Sequence, residues 1–535
     1  MEKHATNLQK YFNLPNPGLR AYFVHNEQGN TDDYRPPFWK GQSRAQVLDS
    51  WQKVYDTLGI KSRYPTLYDF EMEMKGKVGP MSIQMPLVDR IPSIENYYTM
   101  VEHPGEPISE LAIQATAEFF RKAKGVRLRS QSATVKDMRL STNSGTPYFT
   151  KRRNVVEKTA PVTITHDGNQ VLGNGSTYPV SAVLGWRGQE GGIGDDDVKQ
   201  RVIWMMSLGL NIVELTAYQP LIQAIQRHKL IPAYVSMDAV DDEVTALWES
   251  KAPEQVVVCT DFTAFDQHFN VHMQEAARRV LQYLLTPSAA TDEWFANVFP
   301  QKYNLPLICS EKLMFTGPHG MGSGSGGTNF DECLAHKALQ FEAAQRVGKE
   351  LNPHSMAYGD DGILTWPGIT VEDVTRSYTL HGQDMNVSKQ YVSAHDCVVL
   401  RRWHSDSFRD SQGRMVGVYS TFRALGRLLA QERYYDPDVW GPEAVTLRAW
   451  SIIENCNHNP CFEPFVDFVC STGDKYKLGL GIPGFLNNVG KIAQKSIDQL
   501  PDFLGYTKTM QSGDARDIAK GIREWRIYKY LKSKA

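Results

Sequence analysis

Two adjacent carboxylates, Asp360 and Asp361, follow Tyr358-Gly359 and stand between the apolar runs Met356-Ala357 and Ile363-Leu364-Thr365-Trp366. Ionised carboxylates are costly to bury without solvent or a cation, so this segment has to turn where one or the other can reach it. Gly359 and Gly362 give the backbone freedom to turn, and the flanking apolar and β-branched residues read as short strands. The pattern predicts a hairpin that presents Asp360 and Asp361 at its tip. Acidic turns are common on protein surfaces, so chemistry requires partners.

The first partner lies upstream. Gln255-Val256-Val257-Val258-Cys259 is a continuous apolar run of β-branched type and reads as a buried strand, and just past it stands Asp261. Asp261 could simply cap the next segment. Held beside Asp360 and Asp361, it would instead complete a set of hard oxygen ligands suited to Mg²⁺ or Mn²⁺. Two such ions roughly 3.5–4 Å apart drive in-line phosphoryl transfer. Asp266, five positions after Asp261, adds a fourth acidic group to the same stretch.

Between the acidic sites lies Gly320-Met321-Gly322-Ser323-Gly324-Ser325-Gly326-Gly327-Thr328-Asn329, which contains a literal G-x-G-x-x-G at Gly322, Gly324 and Gly327. No buried strand leads into it and no βαβ unit surrounds it, so a dinucleotide-binding fingerprint is rejected. The segment reads as a flexible loop entering a helix from Asn329 to Gln345. Ser323, Thr328 and Asn329 would offer short hydrogen-bonding groups to a sugar or a template backbone.

With these three segments in order, the chain resembles the viral RNA-dependent RNA polymerases. Asp261 to Asp266 matches their palm motif A, Ser323-Gly324 through Thr328 matches motif B, and Tyr358 to Asp361 matches motif C. Asp-Phe-Thr-Ala-Phe-Asp combined with Ser-Gly-Ser-Gly-Gly-Thr is most similar to the picobirnavirus polymerases, with those of partitiviruses as near relatives. The resemblance implies an α+β fold, a closed right hand of fingers, palm and thumb with an antiparallel-sheet palm. It implies RNA-directed RNA synthesis from NTPs, with Asp261, Asp360 and Asp361 as ligands of two Mg²⁺ or Mn²⁺ ions. Asp266 is implied to accept a hydrogen bond from the ribose 2′-OH, and Ser323, Gly324, Thr328 and Asn329 to contact the nucleotide. Where many relatives use a motif B Asn to orient that Asp, this chain has Glu332, which leaves Thr328, Asn329 or Asp331 as candidates for the task.

Further correspondences follow from the same resemblance. Met385 to Gln390 matches motif D, whose Lys389 would protonate departing pyrophosphate. Val398 to His404 matches motif E, with Arg401 and Arg402 on the primer strand. Lys199 and Arg201 match motif F and, with Arg187, would face the triphosphate as fixed cations. Ser141 to Pro147, followed by Lys151-Arg152-Arg153, looks like motif G, where Ser144 and Gly145 would let the template backbone approach. The alternatives are a catalytically silent RNA-binding or packaging protein on this scaffold, against which the full carboxylate set argues, and a reverse transcriptase, against which Asp266 argues.

Composition sets the outer limits. The 535 residues exceed one usual core, so about three lobes are expected. The expected limits are an arm at 1–70 bridging fingers and thumb, fingers at 71–250 and 286–318, palm at 251–285 and 319–404, and thumb at 405–535. The net charge of −2 is weak for a nucleic-acid binder, which assigns RNA affinity to local basic patches, at 121–129, 423–427 and the basic-aromatic 520–534. Seven cysteines without disulfide-scaffold density suit a reducing interior, and Cys456-x-His458-x-x-Cys461 with Cys470 hints at zinc at a spacing no common knuckle uses. No signal-peptide pattern or membrane-spanning stretch is expected, and Val202 to Leu215 reads as a buried helix. The partners implied are template and product RNA, NTPs and a viral capsid protein, with the virion interior and host cytoplasm as the location.

Overall fold

The apolar run before Asp261 and the hairpin around Asp360 meet in one four-stranded antiparallel sheet, ordered β10 (Met356–Tyr358), β11 (Asp361–Leu364), β7 (Val257–Thr260) and β12 (Tyr391–Ser393). The computed structural model describes residues 2–4, 18–473, 475–499 and 521–535. All four residues of β7 are buried because both faces of the sheet are covered. Val258 and Leu364 join the core of the helices Val271–Leu284 and Thr328–Arg346, while Val257, Cys259 and Ile363 pack with Val244 and Leu247 of the helix Met237–Ser250. A strand buried on both faces loses the polar alternation, hence the unbroken apolar run.

A second sheet, ordered β1 (Glu2–His4), β9 (Met314–Thr316), β8 (Leu307–Ile308), β5 (Ala182–Gln189) and β6 (Lys199–Met206), carries a long hairpin formed by β5 and β6. Residues 202–206, expected within a buried helix, are therefore strand. Val202, Ile203 and Trp204 pair with Trp186, Gly185 and Leu184, and the helix Leu208–Arg227 starts only after Ser207. β-Branched and aromatic side chains fit a paired, half-buried surface better than a helix start. Smaller antiparallel sheets are formed by β2 (Thr163–Ile164), β3 (Asn169–Val171) and β4 (Thr177–Pro179), and by β13 (Asp396–Val399), β14 (Arg402–Ser405) and β15 (Val418–Tyr419).

The N-terminal segment reaches two bodies. Leu19 and Phe23 pack on Val183, Ile308 and Met314 of the second sheet, whereas Trp51, Leu67 and Phe70 pack with Phe422, Trp450 and Phe465 of the C-terminal helices. Met74 and Val78 still belong to the latter core, so this segment runs beyond the expected limit at residue 70. Glu71 secures it. Fully buried, it accepts from the backbone N–H of Thr421 at 2.7 Å and from the Thr421 hydroxyl at 2.6 Å, meeting orphan donors at the start of the helix Thr421–Leu428. In the basic-aromatic segment, Lys520 lies outside the described residues, and Ile527 and Leu531 are buried in the same C-terminal core.

The helix Thr328–Arg346 is pinned by a buried ion pair between Lys302 and Asp331, each 1% exposed or less. Asp331 also accepts from Tyr218 Oη at 2.8 Å and Tyr303 Oη at 2.6 Å, so every charge in the knot is met. Asp331 is thereby committed to this knot and is removed from the candidates for orienting Asp266. Taking away one ion of such a pair strands the other in the core. Lys302→Met is expected to cost about 3–5 kcal/mol in urea unfolding. Lys302→Met with Asp331→Leu should recover part of that loss, and a single-variant cost under about 1 kcal/mol would contradict the assignment.

Candidate active site

Strand register builds the site. Thr260 pairs with Gly362, Cys259 with Ile363 and Val258 with Leu364, so the next positions outward, Asp261 and Asp361, emerge side by side at the same end of the sheet. Tyr358 pairs with Asp361, which leaves Gly359-Asp360 as a two-residue turn with Gly359 at φ +61°. Gly362 does not serve the turn. A Cβ there would stand 2.6 Å from Cε1 of His336, whose Nδ1 donates to the Gly359 carbonyl at 2.9 Å. Burial depresses His336 to about 4, so the ring braces the turn as a neutral imidazole.

Each carboxylate is fixed differently. The Asp261 N–H donates to Gln390 Oε1 at 2.7 Å and Gln390 Nε2 donates to the Asp261 carbonyl at 2.9 Å, so the buried amide clasps the backbone. Asp361 Oδ2 accepts from the Leu400 N–H at 2.7 Å. Burial, and then the charge of Asp360, push Asp361 up to about 7 against the pull of Leu400 and Arg401. Asp360 is exposed to the cleft yet still raised, by the low-dielectric walls first and by Asp266 second, with Arg201 and Arg401 opposing. A set in which Asp360 and Asp261 raise the proton affinity of Asp361, and Asp266 that of Asp360, fits a hard divalent cation.

The glycine-rich loop is held from below by a residue the sequence gave no reason to select. Glu214, fully buried, accepts from Ser325 Oγ and from the Gly326 N–H, both at 2.8 Å. The Ser323 hydroxyl accepts from the Trp204 N–H at 3.3 Å, and the Gly324 carbonyl accepts from Asn211 at 3.1 Å, which ties the loop to β6 and the helix behind it. Thr328 turns inward, donating to the Gly322 carbonyl at 2.8 Å, and Asn329 Oδ1 accepts from Tyr234 Oη at 2.8 Å. None of the three candidates therefore orients Asp266. The group beside Asp266 is Glu332, whose carboxyl is held well above the usual carboxylate range by burial and then by the Asp266 charge, and whose Oε1 meets no hydrogen-bond partner.

Cations line the facing hairpin. In β5 and β6, Arg187 stands opposite Arg201 and Gln189 opposite Lys199, so all four side chains share one face. Burial and the neighbouring Lys77 and Arg401 hold Lys199 below its ordinary value. Arg187 departs from the expectation of a free phosphate ligand, because its guanidinium forks onto Glu432 at 3.0 and 3.1 Å. The expected motif E pair is split: Arg401 is exposed to the cleft, while Arg402 donates to the Asn455 carbonyl at 3.2 Å and lies over the Tyr419 ring. Ser144 and Gly145 are buried rather than open to a template. The Ser144 carbonyl accepts from Leu208 at 2.9 Å, and a Gly145 Cβ would meet the Met206 carbonyl at 2.5 Å. Lys389 is exposed on the turn Val387–Lys389, next to the Gln390 clasp.

One further cluster lies elsewhere. Ligand atoms of Asp238, Asp241 and His458 fall within 4.8 Å of one another. Asp241 already meets His404 at 2.8 Å and the Gly417 N–H at 3.0 Å, and Arg414 stands 3.4 Å from Asp238, so the negative charge there is largely met. The hint of zinc on Cys456 and Cys461 is not borne out: both are buried free thiols, and His458 faces carboxylates instead.

The sequence profile described as viral RNA-dependent RNA polymerase matches residues 107–391. A protein of Human picobirnavirus (strain Human/Thailand/Hy005102/-) described as a potential RNA-dependent RNA polymerase is 52% identical over 529 residues, covering 98% of each chain. The crystal structure of the RNA-dependent RNA polymerase of a human picobirnavirus superimposes with a TM-score of 0.92 at 50% identity, again over 98% of each chain. Its insertion-loop deletion mutant gives 0.90 at 49% identity.

A cation bound by the carboxylate set has to displace the proton that Asp361 holds below about pH 7. Mn²⁺ affinity, followed by electron paramagnetic resonance, is therefore expected to rise as pH is raised from 6 to 8, by about tenfold at most for a single displaced proton per pH step. Affinity independent of pH over this range would contradict the raised value.

Proposed function

The chain belongs to the viral RNA-dependent RNA polymerases, and on that premise we propose that it replicates and transcribes a double-stranded RNA genome by two-metal-ion nucleotidyl transfer at Asp261, Asp360 and Asp361. The observation that carries this reading is the register of β7 against β11, which sets Asp261 beside Asp361 with Asp360 in the adjoining turn. Two Mg²⁺ or Mn²⁺ ions bound there would lower the pKa of the attacking 3′-hydroxyl and neutralise charge on the leaving pyrophosphate.

The protein's own groups do the rest. Lys199 and Arg201, on one face of the β5–β6 hairpin, receive the triphosphate; burial first and the neighbouring Lys77 and Arg401 second depress Lys199, and an arriving anion relieves the like-charge part of that. Arg187 contributes through Glu432, which it holds against the neighbouring Arg427 at 3.8 Å. Glu332, whose proton affinity burial raises, donates to one oxygen of Asp266, which accepts the ribose 2′-OH with the other, and Asn329, beside Gly359, lies within reach of the same sugar. Ser323 and Gly324 shape the loop on which the nucleotide rests, with Thr328 tightening it from within. Lys389 is the exposed cation available to protonate pyrophosphate. Arg401 contacts the primer strand. Ser144, Gly145 and Arg402 support these contacts from inside their lobes. Among the described residues no helix is long and apolar enough to cross a membrane. The proposed setting is the particle interior and host cytoplasm, with capsid protein as a partner.

Radiolabelled nucleotide incorporation on a short single-stranded RNA tests the reading. The wild type should yield product with Mg²⁺ or Mn²⁺, and Asp360→Ala should lose about a hundredfold or more in rate. Incorporation that survives Asp360→Ala would overturn the assignment, and RNA binding without synthesis by the wild type would favour a silent binder. The sugar contact has its own test in the ratio of kcat/KM for NTP to that for 2′-deoxy-NTP. Glu332→Gln keeps a donor toward Asp266 and should preserve the ratio, whereas Glu332→Ala should lower it about tenfold. A ratio unchanged in the alanine variant would remove Glu332 from sugar selection.

A further inference from the structure

The hairpin of β13 and β14 closes between Val399 and Arg402, so its turn is Leu400-Arg401. Both residues adopt positive φ, +53° for Leu400 and +60° for Arg401, the geometry of a two-residue turn that strongly favours Gly or Asn. A bulky Leu and a long Arg occupy it instead, so surrounding structure has to over-determine the conformation. One contact does this from outside the hairpin. The Leu400 N–H, at the first turn position, donates to Asp361 Oδ2 at 2.7 Å, a short charge-assisted bond from the palm sheet.

The consequence of that turn is where Arg401 points. Its guanidinium lies against the Gln189 amide at the end of the β5–β6 hairpin, at 3.1 Å from Nη1 when the amide oxygen faces it, and it lowers the proton affinity of both Asp360 and Asp361. It also adds to the positive charge around Lys199 and Arg423. Arg402, one residue on, is already turned into the C-terminal lobe. A relaxed turn would swing Arg401 out of this position while leaving Arg402 in place.

We infer that Asp361 has a second task, independent of any metal: with one carboxylate oxygen it braces the strained Leu400-Arg401 turn and thereby holds Arg401 against the RNA strand. Asp361 then offers its other oxygen, Oδ1, to a cation. Asp361 is a positioning residue for RNA in this respect, and the inference rests on the functional reading above in taking the hairpin to touch RNA.

Fluorescence anisotropy of a labelled primer–template RNA in EDTA separates the two tasks, because no metal contributes. Asp361→Asn removes the charge but keeps an oxygen for Leu400, whereas Asp361→Ala removes both. The asparagine variant should bind RNA as tightly as the wild type or more so, and the alanine variant about tenfold more weakly than the asparagine one. Arg401→Ala should match the alanine variant. Leu400→Gly added to Asp361→Ala should restore much of the affinity, since glycine takes positive φ without the brace. Hydrogen exchange over residues 396–404 reads the brace without RNA, with protection in wild type and Asn and its loss in Ala. Equal RNA affinity for the Ala and Asn variants, or equal exchange in the two, would overturn the inference. A wild type that binds no RNA at all would instead defeat the functional reading, and the arm of the hairpin with it.

Discussion

Mutual repulsion among three carboxylates at the open end of two paired strands is the constraint around which this molecule is arranged. Backbone hydrogen bonding between β7 and β11 brings Asp261 and Asp361 together whether or not their charges agree, and the two-residue turn adds Asp360. The proton affinity of Asp361, raised by burial first and then by Asp360 and Asp261, records the cost. The surrounding protein answers with groups that hold these residues without neutralising them. Gln390 grips the Asp261 backbone rather than its carboxylate, a single amide N–H meets Asp361, and Arg201 and Arg401 act from a distance. Such a site keeps its negative charge available for cations and stays in place without them.

Holding a repulsive site rigid requires a scaffold that does not yield, and the structure supplies it through buried polar groups that bridge distant segments. Glu214 fastens the glycine-rich loop, the Lys302–Asp331 pair with two tyrosines fastens the helix that follows, and neutral His336 fills the gap left by Gly362 beneath the turn. Each ties a catalytic segment to a different neighbour in the chain. Glu71 does the same at the far side, joining the N-terminal segment to the C-terminal helices. The cleft is therefore bounded by elements distant in sequence, and its cations come from β6 and from the β13–β14 turn.

What could be read in the sequence was local. The strand before Asp261, the acidic hairpin and the helix after the glycine-rich loop follow from periodicity and turn chemistry, and the structure has them at Val257–Thr260, Gly359-Asp360 and Thr328–Arg346. The motifs also carried the family. What could not be read depends on contacts across long separations. Gln390 and Glu214 look like ordinary polar residues until the fold brings them to Asp261 and Ser325, 129 and 111 positions away. Arg187 had the composition of a phosphate ligand, but its position opposite Arg201 makes a counter-charge necessary, and Glu432 provides it from 245 residues on. Ser144 and Gly145 had the small size that a template would need, and the same small size lets them pack under β6. The mismatch at Glu332 was visible as a departure from the family pattern, and the raised proton affinity of this buried carboxyl beside Asp266 depends on the surrounding core.

The most direct test of the central claim is anomalous scattering from crystals of the metal-free protein soaked in Mn²⁺. Anomalous peaks are expected between Asp261, Asp360 and Asp361, coordinated by their carboxylate oxygens. Peaks absent from that cleft, or present only at Asp238, Asp241 and His458, would contradict it.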